Sequence, residues 1–132
     1  MANVRAQIGH TKYKTIVSNG EYSIIVDEPE TAGGGNTGLK PHDLLLGSLA
    51  SCTAITLRMY IDRKMWLVDD ITVNTEMLKH ETGVTIKLSL AFEGDLSEEQ
   101  ISRLLQIANA CPIHKILTGS INIETEINNT AI

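Results

Sequence analysis

Apolar positions alternate weakly over residues 2–8, again over 13–17 and again over 22–26, and each run predicts a β-strand. Ser18-Asn19-Gly20-Glu21 carries the Asn-Gly pair of a tight hairpin. The chain is therefore expected to open with an antiparallel three-strand meander over residues 1–26. Residues 27–40 break the pattern with Pro29, Gly33, Gly34, Gly35 and Gly38, which predicts a mobile loop without regular structure. A long apolar stretch with hardly a polar face follows, and it predicts a buried helix over 41–63. Pro41 suits the first helical position, where its missing N–H costs nothing, and Asp43 puts a carboxylate beside the positive end of the helix dipole.

Residues 64–68 read as a connector, with Trp66 covering a core edge. Ile71, Val73, Thr75 and Met77 alternate, as do Val84, Ile86, Leu88, Leu90 and Phe92, and the two runs flank His80-Glu81-Thr82-Gly83. This is the pattern of a long hairpin with one buried face. Ser97-Glu98-Glu99-Gln100 matches a capping box and opens a second helix with Ile101, Leu104, Leu105 and Ala108 as its apolar stripe. That helix breaks at Cys111-Pro112. Residues 114–117 read as further helical turns capped by Gly119, and Ile121, Ile123, Thr125 and Ile127 as a last strand. Strands in runs rather than in single alternation with helices give an α+β class: antiparallel sheets around one long central buried helix, in a single domain over 1–132. The segment 69–127 holds the hairpin, the second helix and the last strand. A helix apolar on all sides must be covered on all sides. The short strands suffice for one side, so a second copy of the chain is expected on the other, giving a homodimer with the 41–63 helix at its centre.

Composition removes several function classes. The formal net charge is -5, aromatic residues are 4% of the chain, and no run of Lys and Arg stands out, which disfavours nucleic acid as a partner. The start of the chain lacks the apolar core of a signal peptide. The uncharged run over 44–57 is short for a bilayer span and carries four hydroxyl side chains. The expectation is a cytoplasmic protein with no membrane partner, whose two cysteines do not form a permanent structural disulfide.

Gly33-Gly34-Gly35-Asn36-Thr37-Gly38 contains a literal G-x-G-x-x-G. A dinucleotide fingerprint must follow a strand directly and open a helix inside a βαβ unit, and neither condition holds here. A flexible loop, able to act as a lid, is the better reading. Histidines 10, 42, 80 and 114 and the two cysteines offer one compact ligand spacing, Cys111-Pro112-Ile113-His114, where a tetrahedral metal site needs four ligands, so no metal is expected. The cysteines leave two readings open. Both are plausible as small buried hydrophobes. Alternatively, Cys111 stands where a helix restarts, so its thiolate would gain from free N–H groups and the dipole. Cys52 lies 59 positions away, and only the fold would bring the two together. A cytosolic dithiol that meets in space reads as redox chemistry.

Glu28-Pro29 after Asp27, the glycine loop, Pro41-x-Asp43-Leu44-Leu45-Leu46-x-Ser48-Leu49-x-x-Cys52-Thr53 and Ala110-Cys111-Pro112-Ile113-His114-Lys115 together resemble the OsmC/Ohr family, the osmotically inducible and organic hydroperoxide resistance proteins. The resemblance runs nearly the whole chain. It implies an intertwined α+β dimer with two central helices between sheets, and a thiol-dependent peroxidase. Cys52 would attack the peroxide as a thiolate and become a sulfenic acid, Cys111 would close a disulfide on it, and an external dithiol, a lipoyl group in the hydroperoxide branch, would reduce the pair, with no bound cofactor. The apolar surroundings of Cys52 would favour organic hydroperoxides.

The helix dipole does not help Cys52, which lies about eleven residues, or ~16 Å, into its helix. Burial raises a thiol pKa. Bringing it from ~8.5 to ~6 takes about 3.4 kcal/mol of preference for the anion, which calls for a cation. The family supplies an arginine held by a glutamate after the helix proline. This chain has Gly9-His10-Thr11-Lys12 and Pro41-His42-Asp43 at those places, so Lys12 (with Lys14 and Arg5 as further cations) and Asp43 are the supporting candidates. By dipole alone Cys111 is the better-placed thiolate. The reading from another class is a dimeric ligand-binding or redox-sensing protein without turnover. Sulfurs close enough to bridge, with Cα atoms within ~7 Å, separate the two.

Overall fold

The alternating N-terminal segments form the expected meander. A computed structural model describes residues 2–128, and in it β1 (Arg5–Ile8), β2 (Thr15–Ser18) and β3 (Ser23–Val26) pair antiparallel in the order β1-β2-β3. Ser18 faces Ser23 across the β2–β3 pair, so the connection is four residues long. Asn19 builds it: its side-chain oxygen accepts the N–H groups of Glu21 at 2.9 Å and Tyr22 at 2.8 Å, and Gly20 takes a φ of 97°. A single 3-10 turn (Glu30–Ala32) leads to α1 (Pro41–Lys64), followed by β4 (Val68–His80), β5 (Gly83–Gly94), α2 (Glu98–Ala108) and α3 (Pro112–Thr118). β4 and β5 form a separate two-stranded sheet. The class is α+β, with antiparallel sheets and three helices.

The chain packs as two compact units, one built from residues up to Ser51 with Val73–Ser89, the other from Cys52–Thr72 with residues from Leu90 onward. The division falls inside α1, at the cysteine.

In the first unit the organising group is Asp27, which is 1% exposed. Its carboxylate accepts N–H groups from Tyr13 at 2.9 Å, Glu28 at 2.7 Å and Thr37 at 3.2 Å, together with the Thr37 hydroxyl. The Asp27 N–H donates to Leu39 at 3.0 Å, and Val26 bridges Leu39 in parallel. The glycine loop is therefore a pinned structure, which corrects the expectation of a mobile one: a buried carboxylate recruits its backbone N–H groups. The glycines are there for space. A Cβ on Gly34 would run into the Glu28 carbonyl, and one on Gly38 into the Ile25 carbonyl.

The second unit holds a core of Leu57, Tyr60, Ile61, Val68, Leu104 and Ala108, with Trp66 and Phe92 against it. Leu57, Ile61 and Leu104 are fully buried. On α1 the buried side chains Leu49, Thr53, Leu57 and Ile61 recur every four residues and so share one face. Trp66 meets Tyr60 edge-on with ring centroids 5.5 Å apart, and Arg103 Nε donates to the Tyr60 hydroxyl at 3.1 Å. The capping box forms as expected, with Ser97 N to Gln100 Oε1 at 2.8 Å and Gln100 N to Ser97 Oγ at 3.1 Å.

The end of the chain and the apolar run depart from expectation. Residues 121–127 form no strand. A strand needs an edge to pair with, and none is provided among the described residues, so Ile123 and Ile127 are 82% and 92% exposed. The uncharged run over 44–57 is part of a 24-residue helix, long and apolar enough by length and composition to cross a membrane. Within a single chain α1 leaves Ile55 and Met59 55% and 64% exposed, on a side the chain itself does not cover. Gly119 does follow α3, but with an extended backbone (φ -97°) rather than a left-handed one.

Two consequences are measurable. Gly38→Ala is expected to cost about 1–3 kcal/mol in urea unfolding, because a backbone carbonyl has nowhere to go. The donors around Asp27, the Thr37 hydroxyl foremost, outweigh burial and hold its carboxyl well below the usual carboxylate range. A depressed folded-state pKa gives stability that is complete above the unfolded value of ~3.9 and is lost as pH falls below it. Urea midpoints measured from pH 6 down to pH 3 should fall in the parent, and less steeply in Asp27→Asn.

Candidate active site

Two helices bring the cysteines together. Cys52 stands mid-way along α1, at the border between the buried stripe and the exposed residues Ile55 and Met59, three and seven positions on. Cys111 caps α3 and is fully buried. Its sulfur accepts the His114 N–H at 3.4 Å, with Pro112 at the first helical position. The Cys111-x-x-His114 spacing therefore works through the histidine backbone as a helix cap. Both cysteines are free thiols, and a hydrogen bond joins their side chains.

The surroundings treat the two sulfurs differently. Burial pushes the Cys111 thiol up, but the Cys52 side chain, the His114 N–H, the Thr53 hydroxyl and the Ile113 N–H outweigh it, and the net shift is down. For Cys52 burial also acts upward and the neighbouring Cys111 adds to it. The Ile113 N–H and the Thr56 hydroxyl offset only part of this, so Cys52 is raised. The pair thus holds its first negative charge on Cys111, with Cys52 as donor. This agrees with the dipole argument from sequence.

Hydrogen bonds, not a cation, supply the preference: no Lys, Arg or His side chain is among the causes of either shift. Arg58, six positions after Cys52 and so about 240° around the helix, gives its guanidinium to the Val68 carbonyl at 2.7 and 2.9 Å. Lys12 lies in the turn before β2, and Asp43 in the first turn of α1. Asp43 lines a cavity of about 510 Å³ with Lys40, His42, Leu46, Met77 and Lys79. His10 and His80 are exposed, and His80 bonds Thr82 and Thr85 at 3.1 Å.

The site also uses groups that the sequence does not mark as site residues: Thr53, Thr56 and the N–H groups of Ile113 and His114. Thr56 was findable, because a hydroxyl four positions from Cys52 shares its helical face. The backbone donors were not, since they depend on where α3 docks.

The OsmC-like protein family model matches residues 33–126, which include both cysteines. The chain belongs to the OsmC-like family. Solved structures carry the same fold. An OsmC-like protein from Mycoplasma pneumoniae has a TM-score of 0.77 at 20% identity, over 90% of this chain and 88% of that one. The organic hydroperoxide resistance protein OhrB of Bacillus subtilis has a TM-score of 0.62 at 25% identity, over 90% and 91%. An organic hydroperoxide resistance protein OsmC from Legionella pneumophila has a TM-score of 0.64 at 18% identity, over 90% of each chain. No curated protein matches. In this OsmC-like chain the glycine loop lies inside the family match but is bound to Asp27, so its G-x-G-x-x-G spacing answers to close backbone packing.

Two interacting thiols lose their protons in steps that belong to the pair. Thiolate absorbance near 240 nm should rise in two steps, one below and one above the ordinary thiol value of ~8.5. Thr53→Val, which removes a donor to Cys111, should move the lower step upward.

Proposed function

We propose that this protein is a thiol-dependent peroxidase that reduces organic hydroperoxides to alcohols. The observation that carries the reading is the hydrogen bond between the Cys52 and Cys111 side chains. Family membership and the hydroperoxide-resistance neighbours support it. Cys52 is the more exposed sulfur and the one peroxide reaches. Its thiolate attacks the peroxide O–O bond, releasing an alcohol and leaving a Cys52 sulfenic acid. Cys111 then displaces hydroxide and closes the disulfide. The net change is one hydroperoxide and two thiols to one alcohol, one disulfide and one water. An external dithiol, such as a lipoyl group, returns both thiols by exchange, and no bound cofactor takes part. Lys12 and Asp43 join this reading as supporting residues from the resemblance alone.

The partner is a second copy of the chain. A homodimer would cover Ile55 and Met59 and give residues 121–127 an edge to pair with, and its place would be the cytoplasm. The apolar side chains beside Cys52 suit an alkyl or lipid hydroperoxide. A cavity of about 480 Å³ lined by Ala54, Ile55, Met59 and Ile71, with Arg58, Asp69 and Asp70 at hand, favours a second reading, a dimeric ligand-binding or redox-sensing protein without turnover.

One equivalent of cumene hydroperoxide should remove both thiols from the reduced parent. Cys111→Ser should accumulate a sulfenic acid that dimedone traps, and Cys52→Ser should be inert. Survival of both thiols would leave the binding reading in place. Light scattering should give twice the 14.4 kDa of one chain, and Ile55→Asp should lower that mass.

A further inference from the structure

We propose that the cavity between the start of α1 and the far end of β4 is a binding site for an anionic amphiphile, a molecule with a phosphate or carboxylate head and a short alkyl arm. The proposal goes beyond the peroxidase reading and does not rest on it. The cavity measures about 510 Å³, the size of a small-molecule site. Lys40, His42, Asp43, Leu46, Met77 and Lys79 line it, and all six belong to the first compact unit. Neither cysteine is among them.

The lining divides by chemistry. His42 and Leu46 stand four positions apart on α1 and share a helix face. Met77 and Lys79 stand two apart on β4 and share a sheet face. Leu46 and Met77 are half-buried and give the cavity an apolar wall, while Lys40, His42 and Lys79 are exposed and bring cations or donors to it from two distant parts of the chain. The chain as a whole is acidic, with 16 Asp and Glu against 11 Lys and Arg. Here the balance is reversed, with two lysines and a histidine against Asp43 alone. The protein does not neutralise these cations itself. Among the described residues the side-chain ion pair is that of Arg58 with Asp62, and neither lysine nor His42 gives a side-chain hydrogen bond to another residue. Like charges gathered around one concavity repel, and an anion seated between them removes that cost. Lysine suits a phosphate or carboxylate head as a compact charge with three donors. An alkyl arm gains by covering Leu46 and Met77, which a bare inorganic anion leaves wet. Asp43 opposes the head and so weakens the site.

The test titrates the full chain by isothermal calorimetry with octyl phosphate, octanoate, inorganic phosphate and octylamine, and locates binding by backbone amide NMR shifts. Octyl phosphate and octanoate should saturate one site per chain below ~1 mM. Their shifts should fall on residues 40–46 and 77–79. Inorganic phosphate should bind about tenfold more weakly or worse, and octylamine should leave these amides unmoved. Lys40→Gln and Lys79→Gln should each weaken octyl phosphate about tenfold, as the loss of one charge-assisted contact does. Asp43→Asn should tighten it. Met77→Gln should weaken octyl phosphate and leave inorganic phosphate as it was. Both lysines are exposed, so their variants keep the fold, and Arg5→Gln, which removes a cation outside the cavity, should match the parent. Vesicles of phosphatidylcholine with phosphatidylglycerol should not carry the protein down on sedimentation, since the cavity admits a molecule and not a surface. Absence of saturable binding would overturn the proposal, as would equal binding of octylamine or an unchanged affinity in the double lysine variant. Sedimentation with vesicles, without binding of soluble octyl phosphate, would overturn it in favour of a membrane surface.

Discussion

α1 has hardly a polar side to turn to water, and much of the rest follows from that constraint. Leu49, Thr53, Leu57 and Ile61 go inward, and Leu57 and Ile61 join the core with α2. Burying such side chains stabilises by roughly 1.5–3 kcal/mol each, which fixes the rotation of the helix about its axis. Once that rotation is fixed, Cys52 has one place to be, at the seam between the buried stripe and the exposed Ile55 and Met59. The Cys52 sulfur is thus placed by hydrophobic packing several residues away from it. Apart from the Thr56 hydroxyl on α1 itself, its hydrogen-bond partners come from the start of α3, whose first turn is set by Pro112 and by the Cys111 sulfur.

The same helix explains why some features were legible in sequence and others were not. Local rules govern the capping box at Ser97 and Gln100, the Asn19 turn and the start of α1 at Pro41, so the residues alone announce them. Family resemblance marked Cys52 and Cys111, and the fold then put them in contact. The last strand was read from a true alternation of Ile121, Ile123, Thr125 and Ile127. Alternation speaks to which faces would differ, not to whether a partner edge exists, and the described residues offer these none. The donors around Cys111 were invisible because backbone N–H groups have no letter in the sequence.

The glycine-rich segment failed for a related reason. Glycine clusters usually mark freedom, and here Gly34 and Gly38 mark the opposite, places where another backbone passes too close for a side chain. Asp27 is what draws the strands and the loop together. It precedes the loop directly, and nothing in the local pattern distinguishes it from a surface carboxylate. Its carboxylate decides between a floppy connection and an ordered one by offering a charged acceptor to N–H groups that would otherwise be stranded.

The sulfur of Cys111 has a second occupation, as the cap of α3. As a thiolate it is a charged acceptor for the His114 N–H, and charge-assisted hydrogen bonds are roughly twice as strong as neutral ones. In a disulfide the same sulfur is neutral and held toward Cys52. A disulfide here would therefore weaken the cap of a seven-residue helix that has little else at its first turn. A bond between the two sulfurs would thus be felt mechanically in α3, seated at its first turn while the thiols are free and loosened there once they were joined.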